Sequence, residues 1–157
     1  MITTKLNLTP YLAEYIRGKF GSGSNEPVRI PDSSDLYHTI WELMAKRPDN
    51  VSPVDHGNLS LQLPERRIGK DPMYHNYLSE RSQKIIDIKI RRLFYAELHQ
   101  LLDENQQEGR PLDNISVIYR FMCSYSLESI SEDALLKNYY RWRINVRKKI
   151  KRKYKRA

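Results

Sequence analysis

The stretch DPMYHNYLSERSQKIIDIKIRRLFYAELHQLLDEN, residues 71–105, decides the architecture. Asp71-Pro72 has the form of a helix start, and the apolar period continues to about Asn105 with a break near Ser79. Ile85, Ile88, Tyr95 and Leu102 fall on one face, while Ile86, Ile90, Leu93 and Leu101 fall on another. Two apolar stripes predict a central helix packed on both sides.

Upstream of this pillar the period changes from helical to alternating. Ile2-Thr3-Thr4-Lys5-Leu6-Asn7-Leu8 alternates as a strand does, and Thr9-Pro10 starts a helix that Gly21 stops. Gly21-Ser22-Gly23-Ser24-Asn25 reads as a flexible loop. A short strand over Pro27–Ile30 and a helix over Asp35–Lys46 follow, and Leu59–Leu63 alternates as a third strand. Downstream, Gly109-Arg110-Pro111 breaks the chain before a helix from about Asp113 to Tyr125. A turn over Ser126–Ile130 leads to a last helix from Ser131, capped by Ser129 with Glu132 or by Ser131 itself.

These elements predict an α+β fold: α-rich, with a small N-terminal sheet of three short strands, a long central helix and a C-terminal helix-turn-helix-like pair. Residues 1–105 form the body, and residues 106–157 form the helix-turn-helix-like segment with a basic tail. The chain of 157 residues is short enough for one compact domain plus that tail. No run approaches a membrane span, and the first residues lack the apolar stretch of a secretory signal, so a cytoplasmic protein is expected. The single cysteine, Cys123, lies in an apolar run and reads as a buried, inert thiol.

The distribution of charge narrows the function. Net charge is +8, yet residues 137–157 hold eleven Lys/Arg and no acid. The preceding residues carry 16 basic and 19 acidic side chains, so a mildly acidic body ends in a cationic tail. Complementing a helix dipole needs two or three cations at most. A polyanionic partner is the simpler reading.

Along the last helix, Leu135, Tyr139, Trp142, Val146 and Ile150 fall within one narrow stripe, which predicts the docked face. Lys137, Arg141, Arg147, Lys148, Lys151 and Arg152 fall opposite, and Lys155 and Arg156 extend the cluster. Glu132 and Asp133 open this helix where a recognition helix usually meets bases, so Lys137, Asn138 and Arg141 become the candidate base readers, with Tyr140 beside them. The remaining cations would hold phosphate and position the protein. Arg66, Arg67 and Lys70 make a second basic patch, for which a solvated loop is an equal reading.

Four segments carry a family resemblance: Leu8-Thr9-Pro10-Tyr11-Leu12, Arg67-Ile68-Gly69-Lys70, Ala96-Glu97-Leu98-His99-Gln100, and Ile130-Ser131-Glu132-Asp133-Ala134-Leu135 on to Arg143. They resemble small proteins encoded by transposable, Mu-like prophages and related mobile elements, over most of the chain. The resemblance implies a DNA-binding accessory or regulatory role and assigns no residue a function.

The sequence offers little for catalysis. His38, His56, His75 and His99 are scattered, share no metal-ligand spacing with Cys123, and no phosphate-binding loop is present. The expectation is a non-enzymatic nucleic-acid-binding protein without cofactor or metal. Duplex DNA is the favoured partner, with RNA or an acidic protein as alternatives.

Overall fold

Residues 1–21 and 27–156 are described by the computed structural model, so most of the expected Gly21–Asn25 loop lies outside the described residues. Strand β1 (Thr3–Leu6) pairs antiparallel with β3 (Leu59–Gln62), placing Leu6 opposite Leu59 and Thr4 opposite Leu61. Strand β2 (Val28–Arg29) lies parallel on the other side of β3, giving the order β1-β3-β2. Alternation turns Leu6, Val28, Leu59 and Leu61 into the core, as a sheet with one buried face requires. The α+β, helix-rich class follows directly.

The chain divides into two compact units between Tyr95 and Ala96, within the long helix α3 (Glu80–Gln107). The expected boundary after Asn105 therefore falls inside the second unit.

The first unit contains the sheet, α1 (Pro10–Phe20), α2 (Asp35–Leu43) and the first half of α3. Pro10 occupies the first turn of α1 and Gly21 ends it, as the sequence predicts. Thr9 does not cap with its side chain. Asp87 of α3 instead accepts from Thr9 N at 2.8 Å and Thr9 Oγ1 at 3.1 Å, and pairs with Arg91 at 3.1 Å. Tyr11 and Tyr15 meet Phe94 edge-on, each with ring centres 5.2 Å apart. Helix α2 stops at Leu43 rather than Lys46, because Ala45 and Tyr77 exchange backbone hydrogen bonds and are held extended.

The same bridge corrects the start of the central helix. Asp71-Pro72 opens a turn, in which the Asp71 side chain accepts from Met73 N and its carbonyl from Tyr74 N and His75 N. The helix begins at Glu80, with Ser79 Oγ accepting from Ser82 N at 3.1 Å. The two-stripe expectation is also overturned. Ile86, Ile90, Phe94, Leu98 and Leu102 form one buried ridge at four-residue spacing. Ile85 and Ile88 of one expected stripe, and Leu93 and Leu101 of the other, are each more than a third exposed.

The second unit contains the remainder of α3, α4 (Asn114–Ser124) and α5 (Glu132–Arg156). Helix α3 closes with Gly109 at φ 83° and Arg110 N donating to Asn105 O at 2.9 Å, the left-handed ending that glycine favours. Buried Asn105 then grips Leu112 from both sides: its Nδ2 donates to Leu112 O, and its Oδ1 accepts from Leu112 N. Helix α4 buries Val117, Ile118 and Phe121. Cys123 is exposed, correcting the expectation of a buried thiol, because it lies one turn beyond exposed Tyr119 and off the buried stripe. Among the described residues, no helix is long and apolar enough to cross a membrane.

Candidate nucleic-acid interface

Helix α5 begins where Ser131 Oγ accepts from Ala134 N at 3.1 Å, so Ser131 is the side-chain cap. Glu132 and Asp133 occupy the first turn, where carboxylates suit the helix dipole. The turn before it contains the one strained residue of the connection. Ser126 sits at φ 52°, with Leu127 N donating to Met122 O at 2.9 Å and Leu127 buried behind it. This is the left-handed helix ending that glycine usually supplies, one residue after the cap of α4.

Two residues seat α5 in the core. Leu135 and Tyr139 are both 0% exposed. Tyr139 Oη donates to Asp103 Oδ1 at 2.7 Å, and burial followed by this bond pushes its hydroxyl pKa up to about 12. Trp142 stacks on His99, ring centres 4.4 Å apart, and His99 Nε2 lies 2.7 Å from Asn138 Oδ1. Burial holds the imidazole pKa of His99 below its ordinary value, against the opposing pull of Asn138 and Asp103. Val146, half-buried, is the last sheltered residue.

Beyond Val146 the helix leaves the core. Every residue from Arg147 to Lys155 is exposed, including Ile150 at 50% and Tyr154 at 80%. Ile150 therefore does not extend the docked stripe as expected. After Val146, Lys153 falls on the stripe and Lys149 at its edge, leaving Ile150 alone there, so no continuous apolar ridge is left to dock. With 1.5 Å of rise per residue, residues 147–155 run roughly 13 Å, carrying cations around most of the circumference, with Ile150 and Tyr154 on the remaining side.

The candidate residues fall into distinct groups. Arg147, Lys148, Lys151, Arg152 and Lys155 are exposed, as is Arg141 nearer the core. Among the described residues, none of these six has a carboxylate within ion-pair distance. Arg156 belongs to α5 by its backbone, and its side chain lies outside the described set. Lys137 is paired with Asp133 at 2.9 Å, and Asn138 is turned inward onto His99. Tyr140 is 44% exposed, with its hydroxyl 3.5 Å from Asn114 Nδ2. Of the three candidate base readers, Arg141 thus remains presented to solvent, with Tyr140 beside it, while Lys137 and Asn138 are engaged locally. Lys149 and Lys153, set aside by the one-faced reading, are exposed with the others.

The second basic patch has a different organisation. Arg66 lies over the Trp41 ring at 4.4 Å and touches His38, while Lys70 Nζ donates to Trp41 O at 3.0 Å. Gly69, at φ 107°, lets the loop close, since a Cβ there would lie 2.6 Å from Trp41 Cζ2. Arg66 and Lys70 thus clasp a tryptophan, and exposed Arg67 makes no hydrogen bond or ion pair among the described residues.

Asn114, the first residue of α4, meets Tyr140 in the third turn of α5, so the two helices face each other along the length of α4. No cluster of three or more His, Cys, Asp or Glu suited to a metal occurs among the described residues. No family model matches the chain, and neither a curated protein nor a solved structure does.

Proposed function

We propose that the protein binds duplex DNA through the outer half of α5. The observation that carries this reading is the exposed segment from Arg147 to Lys155, continuous in one helix with the part seated by Leu135 and Tyr139. Eight of the ten residues from 147 to 156 are Lys or Arg. Their spread around the axis suits a helix with phosphate on both flanks. A B-form major groove about 12 Å wide provides that setting, because an α-helix with its side chains is about 10–12 Å across. The deep, narrow major groove of A-form RNA does not admit such a helix.

Affinity in this reading comes mainly from counterion release, with Arg141 and Tyr140 the residues nearest to base edges. A role in regulation or mobile-element maintenance rests on the resemblance stated above. The test compares the full chain with one truncated after Val146 by fluorescence anisotropy on duplex DNA, single strands and RNA. The truncated chain should keep its melting temperature and lose duplex binding. Undiminished binding after truncation would refute the proposal.

A further inference from the structure

We infer that the same tail has a second docking place, the groove between the end of α3 and α4 in another copy of this chain. The inference stands on tail and groove alone and does not depend on nucleic-acid binding.

The groove has a volume of about 680 Å³ and an apolar floor that includes Leu101, Leu112 and Phe121. Glu97, Glu104 and Glu108 line it against a single cation, Arg120. The wall is fixed in place. Tyr125 Oη donates to Glu97 Oε1 at 2.7 Å, and Gln100 Nε2 donates to Glu104 Oε1 at 3.0 Å. Leu101 remains 40% exposed at the floor. It is one of the apolar side chains expected to be covered and found exposed.

The tail has the complementary pattern. Ile150 and Tyr154, at four-residue spacing, lie on one side of the helix, and Arg147 and Lys151 flank them. Two apolar side chains set among cations suit an apolar trough edged by carboxylates, the helix-in-groove mode of recognition. Charge decides the occupant: the groove is acidic, and the exposed cationic helix available on every molecule is its own tail. Tail and groove are different surfaces, so the contact is head-to-tail and leaves one of each free at the ends of a dimer.

Sedimentation velocity at low salt, without nucleic acid, tests this from micromolar to submillimolar concentrations. The wild-type chain should associate, and added salt should reverse it. One variant carries Ile150→Asp and Tyr154→Asp, and another carries Leu101→Lys and Glu104→Lys. Each alone should need at least about tenfold higher concentration to associate. An equimolar mixture retains one intact tail and one intact groove, and should form a 1:1 pair that grows no further. Circular dichroism melts check that both variants are folded. If either is not, Tyr154→Asp alone and Glu104→Lys alone repeat the mixing experiment. A wild-type chain that stays monomeric throughout overturns the inference. So does association unchanged in both variants, which would assign it to another face.

Discussion

The imidazole of His99 donates from Nε2 to Asn138 Oδ1 across 2.7 Å while its ring lies against Trp142, which ties the second turn of α5 to α3. Burial, the larger effect, resists the doubly protonated ring and lowers its pKa; the bond needs a proton on Nε2, which the neutral and the doubly protonated ring both carry, so it opposes the lowering. His99 therefore binds its second proton less readily when folded than when unfolded. Above the ordinary imidazole pKa of 6.5 both states are neutral, and the group adds no pH dependence. As pH falls through 6.5 the unfolded chain gains a proton that folded His99 refuses, so stability declines toward the lower folded value. The melting temperature of the second unit should drop between about pH 7.5 and about pH 5.5, and His99→Gln should flatten that decline. An unchanged pH profile in His99→Gln would dismiss this account.

Asp87 is the polar joint between α3 and the start of α1. It satisfies Thr9 N and Thr9 Oγ1 while pairing with Arg91, and its side chain is only 16% exposed. Asp87→Ala removes the acceptor from a part-buried backbone amide, which should cost about 2–3 kcal/mol in chemical denaturation of the first unit. Asp87→Asn keeps one acceptor oxygen and should cost about half of that. Equal losses in the two variants would mean that charge, not the amide acceptor, dominates the joint.

Local chemistry was legible where one residue type has one physical use. Thr9-Pro10 and Gly21 bracket α1, and alternation around Leu6 and Leu61 predicts the buried strand face. Asp71-Pro72 misled because an Asp side chain that accepts from Met73 N makes a turn with the same residues that start a helix. Periodicity placed Ile85 and Leu101 on helix faces but carries no information on whether another element covers them. In the candidate site, the cations were legible from composition. The end of the docked stripe was equally present in Lys149 and Lys153, which stand where apolar residues would be needed. The inward turn of Asn138 was not legible, because it depends on His99, far away in sequence and brought near only by the fold.

Ser126 holds a left-handed conformation, φ 52°, that a side chain with Cβ adopts at a cost. Leu127 N to Met122 O and the burial of Leu127 keep it there. Ser126→Gly should stabilise the second unit by about 0.5–1 kcal/mol, seen as a higher denaturation midpoint at unchanged slope. Ser126→Val should lower the midpoint, because a β-branched residue fits this region poorly. A glycine variant less stable than wild type would show that the turn is not strained as described.

The tail also distinguishes a one-faced from a largely all-round cationic helix. In the one-faced arrangement Lys149 and Lys153 would lie on the docked side and take no part in binding. In the structure both are exposed, as is every residue of α5 from Arg147 to Lys155. For B-form DNA the logarithm of affinity falls against the logarithm of salt with a slope of about −0.9 per neutralised phosphate. A helix flanked by phosphate on both sides should then give Lys149→Gln and Lys153→Gln the same effect as Lys148→Gln and Lys151→Gln. Each should shallow the slope by about one, uniformly across duplex sequences. Arg141→Gln should differ, weakening some sequences more than others if its guanidinium reaches a base edge. Should Lys149→Gln and Lys153→Gln leave the slope untouched while Lys148→Gln and Lys151→Gln reduce it, the tail lies along one strand with a single face, and the groove-inserted geometry is wrong.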